Sequence, residues 1–308
     1  MKDAFDSWFS DRENDPVEDD GELSPGTVIG EYRILARLGR GGFAEVYRAV
    51  GRAGENVAVK ILHRLDEKSR ERFTRETKIL VEMIRHRNFP LFLCSGSCGE
   101  RPYMVLELLR SERALPSGDR AIARFLMQII SAVEKLHRHG YLHRDIKPQN
   151  ILFRKDGTPV LIDFGTVAYI SSEKRELDGL SVAGEMKVAV GTPGYSAPEQ
   201  FSGQAVGPEA DIHSIGRLIY DCYQGGRIPK CWNRIYLKAT ASKSESRYRS
   251  VAELRTAIKL RHWKKVAWAV LAVILALFVA HETVKHVEKE NAPRYFSGNS
   301  DRRPRLAR

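Results

Sequence analysis

The stretch from Tyr141 to Asn150 packs an acid, two bases and an amide into a few residues: Asp145, flanked by Arg144 and Lys147, with Asn150 just behind. Asp163-Phe164-Gly165 follows the apolar run Val160-Leu161-Ile162. Upstream, Lys60 stands alone in the apolar run Val57 to Leu62. An unpaired cation there would be costly, so Lys60 needs an anionic partner. Glu76 could supply it, with nucleotide phosphates the other. The run Gly39-Arg40-Gly41-Gly42-Phe43-Ala44-Glu45-Val46 lets the backbone approach phosphates closely and offers them its N–H groups; alone, it would equally suit a plain hairpin turn. Phosphoryl transfer needs a carboxylate to orient a hydroxyl, oxygen ligands for Mg²⁺, and cations against the phosphates. The segments around Asp145 and Asp163 contain all three.

These groups must be held by elements that the periodicity outlines. Tyr32 to Val50 alternates and is interrupted by glycines, which predicts two strands joined by a Gly-rich turn. Val57 to Leu62 is a further strand. From Leu65 to Arg85, Phe73, Ile79, Leu80 and Met83 fall at helical spacing. Pro102 to Leu109 reads as another strand, and Arg120 to His139 as a long amphipathic helix. Helices dominate from there on. The expected fold class is α+β: a small β-rich lobe followed by a larger helical one, with no internal repeat.

The chain has 308 residues and 43% apolar content, enough for a substantial core. Its formal charge of +11 is spread unevenly. Residues 1–31 form an acidic, solvated leader, and 284–308 a basic tail. The remaining basic residues are scattered without interleaved stacking aromatics, so no nucleic acid is expected as partner. Four cysteines, Cys94, Cys98, Cys222 and Cys231, lack paired metal-knuckle spacing and are expected as free thiols in a reducing compartment. The N-terminus has no apolar run behind its basic residue and is not read as a secretory signal.

Val266 to Ala280 carries no charge and is apolar on every side. It therefore calls for lipid or a deep core. At about 1.5 Å per residue it rises roughly 22 Å, short of the roughly 30 Å hydrocarbon slab. Flanking Lys264, Lys265, Trp263 and Trp268, with His281 to Val284 beyond, extend it to an expected transmembrane helix over 263–283. Arg261, Lys264 and Lys265 place the preceding domain on the cytoplasmic side of an inner membrane.

The joint occurrence of these motifs, in this order, resembles the Hanks-type protein kinases of the eukaryotic-like bacterial Ser/Thr class. The resemblance runs from about Tyr32 to Leu260. It includes the Gly-rich loop, Val57-Ala58-Val59-Lys60, His143-Arg144-Asp145, Asp163-Phe164-Gly165, Gly191 to Tyr195 with Ala197-Pro198-Glu199, Asp211 to Gly216, and Arg247. It implies a bilobal kinase fold with an N-lobe at 32–109 and a C-lobe at 110–260, using ATP with Mg²⁺ or Mn²⁺. By resemblance, Asp145 orients the substrate hydroxyl, and Asn150 and Asp163 hold the metal. Lys60 grips the α- and β-phosphates and is aligned by Glu76, while Lys147 neutralises the transferred group. Leu38, Gly39, Gly41, Gly42, Val46, Ala58 and Leu152 would enclose the nucleotide, with Leu106 as gatekeeper and Glu107 to Leu109 as hinge. Lys147 with Thr192 marks the Ser/Thr class. Glu199 and Arg247 would form a buried structural pair.

Three departures accompany the resemblance. Ala44 stands at the third glycine, the segment between Tyr223 and Ile235 is short, and the tail beyond the apolar run is too small for a folded sensor. Arg144 beside Asp145 is the arrangement that awaits a phosphate on the activation loop. Ser171, Ser172 and Ser181 are the candidate acceptors for autophosphorylation in trans, which would involve a dimer. Protein Ser/Thr side chains are the expected substrates. A catalytically weak scaffold at the membrane is the alternative, and a small-molecule kinase a further rival.

Overall fold

The computed structural model describes residues 22–109, 114–170, 191–202 and 205–290. The leader up to residue 21, Ser171, Ser172, Ser181 and the tail from residue 291 lie outside them. The chain divides into two compact units, Met1–Lys259 and Leu260–Arg308.

The first unit begins with an antiparallel sheet of six strands: β1 (Val28–Ile29), β2 (Tyr32–Arg40), β3 (Ala44–Val50), β4 (Asn56–Leu62), β5 (Phe92–Cys98) and β6 (Arg101–Glu107), in the order β1-β2-β3-β4-β6-β5. The anticipated Gly-rich turn joins β2 to β3. Alternation places Ile34, Tyr47, Val59, Ile61, Tyr103 and Val105 in one apolar cluster on one face. The other face receives helix α1 (Glu67–Glu82). Asp66 caps α1 by accepting the Ser69 N–H at 3.0 Å, and the helix buries Phe73, Ile79 and Leu80 at helical spacing. Arg75 and Glu76 are buried with them, the first sign that this face is not only core.

The helical lobe is built on α2 (Asp119–Arg138), whose apolar stripe Ile122, Leu126, Ile129, Val133 and Leu136 is fully buried. Two short antiparallel pairs lie beside it: β7 (Tyr141–Leu142) with β10 (Ala168–Tyr169), and β8 (Ile151–Phe153) with β9 (Pro159–Leu161). Helices α3 (Pro208–Cys222), α4 (Lys230–Ala239) and α5 (Val251–Lys259) complete the lobe. The short segment anticipated after Tyr223 is a turn with Gln224 and Gly225 at positive φ, and α4 starts at Lys230. Trp232 of α4 is fully buried and donates to Asp119 at 2.7 Å.

In the second unit, α6 spans Trp263–Glu290. Among the described residues no helix is long and apolar enough to cross a membrane, so the spanning segment expected at 263–283 finds no support. The physical reason lies in the run itself: its uncharged stretch is short against a bilayer core, and His281, Glu282 and Lys285 follow it on the same helix. Along α6, Val270, Leu271, Val273, Ile274, Leu275, Leu277, Phe278 and Val279 are all exposed.

Candidate active site

Lys60, midway along β4, donates to both oxygens of Glu76 at 2.6 and 2.7 Å. The sheet puts Lys60 opposite Val46 on β3 and Met104 on β6, and α1 lowers Glu76 onto it. Glu76 is 2% exposed. Burial raises its carboxyl above the usual range, the Lys60 ammonium draws it back, and the Asp163 carboxylate pushes it up again. Glu76 and Asp163 are thus close enough to repel each other, an arrangement that favours positive charge nearby.

A cleft opens beside this pair. Of the residues named from sequence, Leu38, Gly41, Val46, Ala58, Lys60, Glu76, Leu106, Glu107, Leu109, Leu152 and Asp163 line it. Gly39 and Gly42 sit in the strand and turn above without lining it. Leu106 pairs with Ala58 across β6 and β4, which sets two apolar residues side by side in the wall. The backbone N–H of Glu107, expected as part of the hinge, is already committed to the Leu91 carbonyl at 3.0 Å, which restricts what it can offer a ligand.

Asp145, Lys147 and Asn150 are gathered next to the cleft. Asn150 Nδ2 donates to the Asp145 carbonyl at 2.7 Å and to Asp145 Oδ2 at 3.0 Å. Lys147 Nζ lies 3.3 Å from Oδ2 and donates to Thr192 Oγ at 2.6 Å. The Thr192 hydroxyl in turn donates to Asp145 Oδ1 at 2.7 Å. Ile162 N–H donates to the Asn150 carbonyl at 2.9 Å, which brings Asp163 to the same place. Asp163 has φ 61°, a left-handed conformation rare for a residue with a Cβ, and its Oδ1 accepts the Gly165 N–H at 3.3 Å.

Asp211 supports this loop from below. Fully buried, it accepts the N–H groups of Arg144 (2.8 Å) and His143 (2.9 Å) and bonds His137 Nε2 at 2.7 Å. Burial pushes its carboxyl up, but the bonds from His137 and His143 prevail and hold it below the ordinary range. Arg144 also sits at positive φ, 66°, and those two bonds help fix that conformation. Burial keeps His143 below the usual imidazole range, and Phe164 packs edge-on to it at 5.3 Å and stacks on Phe89 at 5.5 Å. Farther off, Arg247 grips Glu199 through Nη1 and Nη2 at 2.6 and 2.8 Å, the pair expected from sequence.

The donor set offered by Asn150 and Asp163 is an amide and a carboxylate. With the amide nitrogen turned to Asp145, it is the amide oxygen that a cation would meet, and an all-oxygen set fits a hard divalent ion. Sequence reasoning missed two features. Arg154, after β8, donates Nε to Glu107 Oε2 at 3.0 Å and Nη2 to Glu107 Oε1, and its guanidinium also bonds the carbonyls of Arg87 and Phe89 (2.9 Å for the latter). A single arginine thereby ties Glu107 at the end of β6 to the connection between α1 and β5. The second is His63, whose Nε2 bonds the Gly41 carbonyl at 3.0 Å. No local pattern marks either, because their partners are set by the fold.

A six-stranded sheet with a glycine turn, a lysine–glutamate pair from strand to helix, and a loop carrying Asp145 and Asn150 on a helical lobe define the bilobal architecture of the protein kinases. Residues 32–286 match the protein kinase domain, and the chain belongs to that family, whose members use ATP and a divalent metal. It is 38% identical over 210 residues to the DNA damage-responsive serine/threonine-protein kinase RqkA of Deinococcus radiodurans, covering 64% of this chain and 30% of that protein. It is 30% identical over 272 residues to serine/threonine-protein kinase PknH of Mycobacterium tuberculosis, covering 75% and 42%. To serine/threonine-protein kinase Pkn1 of Myxococcus xanthus it is 29% identical over 287 residues, covering 80% and 40%. The chain thus spans well under half the length of these relatives.

Proposed function

We propose that this chain is a protein Ser/Thr kinase that transfers the γ-phosphoryl group of ATP to Ser and Thr hydroxyls of proteins, its own activation loop among them. The observation that carries the reading is the Lys60–Glu76 ion pair, which lines one cleft with Asp163, a residue joined to the Asp145–Asn150 loop through the Ile162–Asn150 backbone bond. In this reading residues 32–109 and 110–260 are the two lobes, and the adenine lies between Leu38, Val46, Ala58 and Leu152. With the Glu107 N–H engaged, Leu109 supplies the hinge donor.

Asp145 Oδ1, which accepts the Thr192 hydroxyl, is a carboxylate oxygen that can accept and orient the hydroxyl of a substrate. Lys147 brings positive charge to the same point, and Lys60 holds phosphate oxygens while Glu76 fixes its ammonium. Asn150 and Asp163 would hold Mg²⁺, with Mn²⁺ an acceptable substitute, and the ion would neutralise phosphate charge. The test is transfer of radiolabel from ATP to a generic basic protein and to the chain itself, with Lys60→Met alongside. Label on both substrates that disappears in the variant supports the enzyme. Nucleotide binding without transfer would favour the alternative, a scaffold.

A second reading concerns location. The exposed apolar side chains of α6, preceded by Arg261, Lys264 and Lys265 in sequence, favour a helix that tethers the kinase to the cytoplasmic face of a membrane. Fractionation of the full chain and of a variant ending at Lys259 tests this. Membrane-bound parent and soluble variant support the tether; equal solubility removes it.

A further inference from the structure

The turn between β2 and β3 is pinned from the far end of β4. Its Gly41 N–H closes on the Ala44 carbonyl at 2.8 Å. The Gly41 carbonyl accepts from His63 Nε2 at 3.0 Å. The Phe43 carbonyl accepts the backbone N–H groups of His63 (3.0 Å) and Arg64 (3.2 Å). A carbonyl can only accept, so Nε2 carries the proton. His63 is 5% exposed, and burial holds its imidazole below the usual range, so the ring is neutral at neutral pH.

In a trans peptide the C=O of one residue and the N–H of the next point in opposite directions. With the carbonyls of Gly41 and Phe43 turned to His63 and Arg64, the N–H groups of Gly42 and Ala44 are turned away from them. The side of Gly42 that a Cβ would occupy is open, with nothing within 4 Å. The Gly41–Gly42 peptide is flanked by glycines and is free to flip unless something holds it. Flipped, it would present a carbonyl oxygen to an anion in place of an N–H.

We infer that His63 is a positioning residue for the phosphate-binding turn: its Nε2–H holds the Gly41 carbonyl so that the Gly42 N–H faces the phosphates of a bound nucleotide. The Phe43 bonds are made by main chain and do not involve the imidazole, so the side chain's contribution is confined to one peptide. The inference rests on the ATP reading above.

The test compares the full chain with His63→Phe, which keeps an aromatic ring and lacks the donor, and His63→Gln, which restores one. Affinities are measured for ATP with magnesium and for adenosine, with KM and kcat in parallel. His63→Phe is expected to weaken ATP binding and raise KM about fivefold, the worth of one hydrogen bond, with adenosine affinity and kcat unchanged, and His63→Gln to recover most of the loss. Unchanged ATP affinity in His63→Phe overturns the inference. So does an equal loss for adenosine and ATP, which would mean general damage to the lobe, or failure of His63→Gln to recover. If the parent chain itself binds no ATP, the kinase reading has failed, and that outcome is visible before any variant is compared.

Discussion

The Thr192 hydroxyl donates to Asp145 Oδ1 at 2.7 Å while accepting from Lys147 Nζ at 2.6 Å. Asp145 and Lys147 share one loop, whereas Thr192 lies 45 residues beyond Lys147 in sequence and closes a ring between them. The ring holds the Asp145 carboxylate and the Lys147 ammonium in a fixed relation, which is what a group that orients a substrate hydroxyl requires.

Breaking that ring should cost rate and spare nucleotide binding. Thr192→Ala is expected to lower kcat about tenfold or more with little change in KM for ATP, and Thr192→Ser to restore most of it. Steady-state kinetics on a protein substrate reads both; an Ala variant with full kcat would contradict the role.

The Lys60–Glu76 pair predicts two separable losses. Glu76→Gln leaves Lys60, 13% exposed on its side chain, facing a neutral partner, so phosphoryl transfer should fall about a hundredfold. Thermal unfolding should also shift down, by about 3 kcal/mol, since removing one partner of a buried pair strands the other. A variant as stable and as active as the parent would show that the pair is incidental.

The Arg247–Glu199 grip is the more deeply buried, with side-chain exposures of 0 and 6%. Arg247→Met should cost about 3 to 5 kcal/mol of stability, because Glu199 loses both of its charged bonds and the carbonyls of Ala241, Ser242 and Glu209 lose their donor. Chemical denaturation measures it, and a cost within 1 kcal/mol of zero would refute it.

Acid sensitivity follows from the buried groups. Burial lowers the imidazoles of His143 and His213, so below about pH 6.5 the unfolded chain takes up protons that the folded chain refuses. Stability is complete above that value and declines as pH falls below it. Glu199 and Asp211 extend the loss. Burial raises them, but the bonds from Arg247 and His137 hold both below the ordinary carboxylate range. Their contribution is present above about pH 4 and disappears as pH falls through their folded values. Melting temperatures from pH 8 to pH 3 should decline in these two windows; a flat profile would be incompatible with the buried network.

Arg154 offers a test of the hinge. Arg154→Leu with Glu107→Gln, singly and together, should show a coupling of about 1 kcal/mol or more, and Arg154→Leu alone should raise KM for ATP about threefold by loosening the strand that carries Glu107. Additive single effects would mean that the two side chains act independently.

Most of the candidate site was legible along the chain. Lys60 in an apolar strand, the acids around Asn150, and the glycine turn are each recorded by local composition, and β2, β3, β4, α1 and α2 by hydrophobic period, because such patterns repeat over neighbours. The apolar run of α6 was equally plain; its expected role as a span was not supported, since apolar character is local whereas crossing a bilayer depends on continuous length. What only the tertiary structure decided were the partners: Thr192 on Asp145, Arg154 on Glu107, and His63 on Gly41 of the neighbouring turn. A hydrogen bond depends on distance and direction to within a fraction of an ångström, and these are set by how strands and lobes pack rather than by any residue's neighbours in sequence.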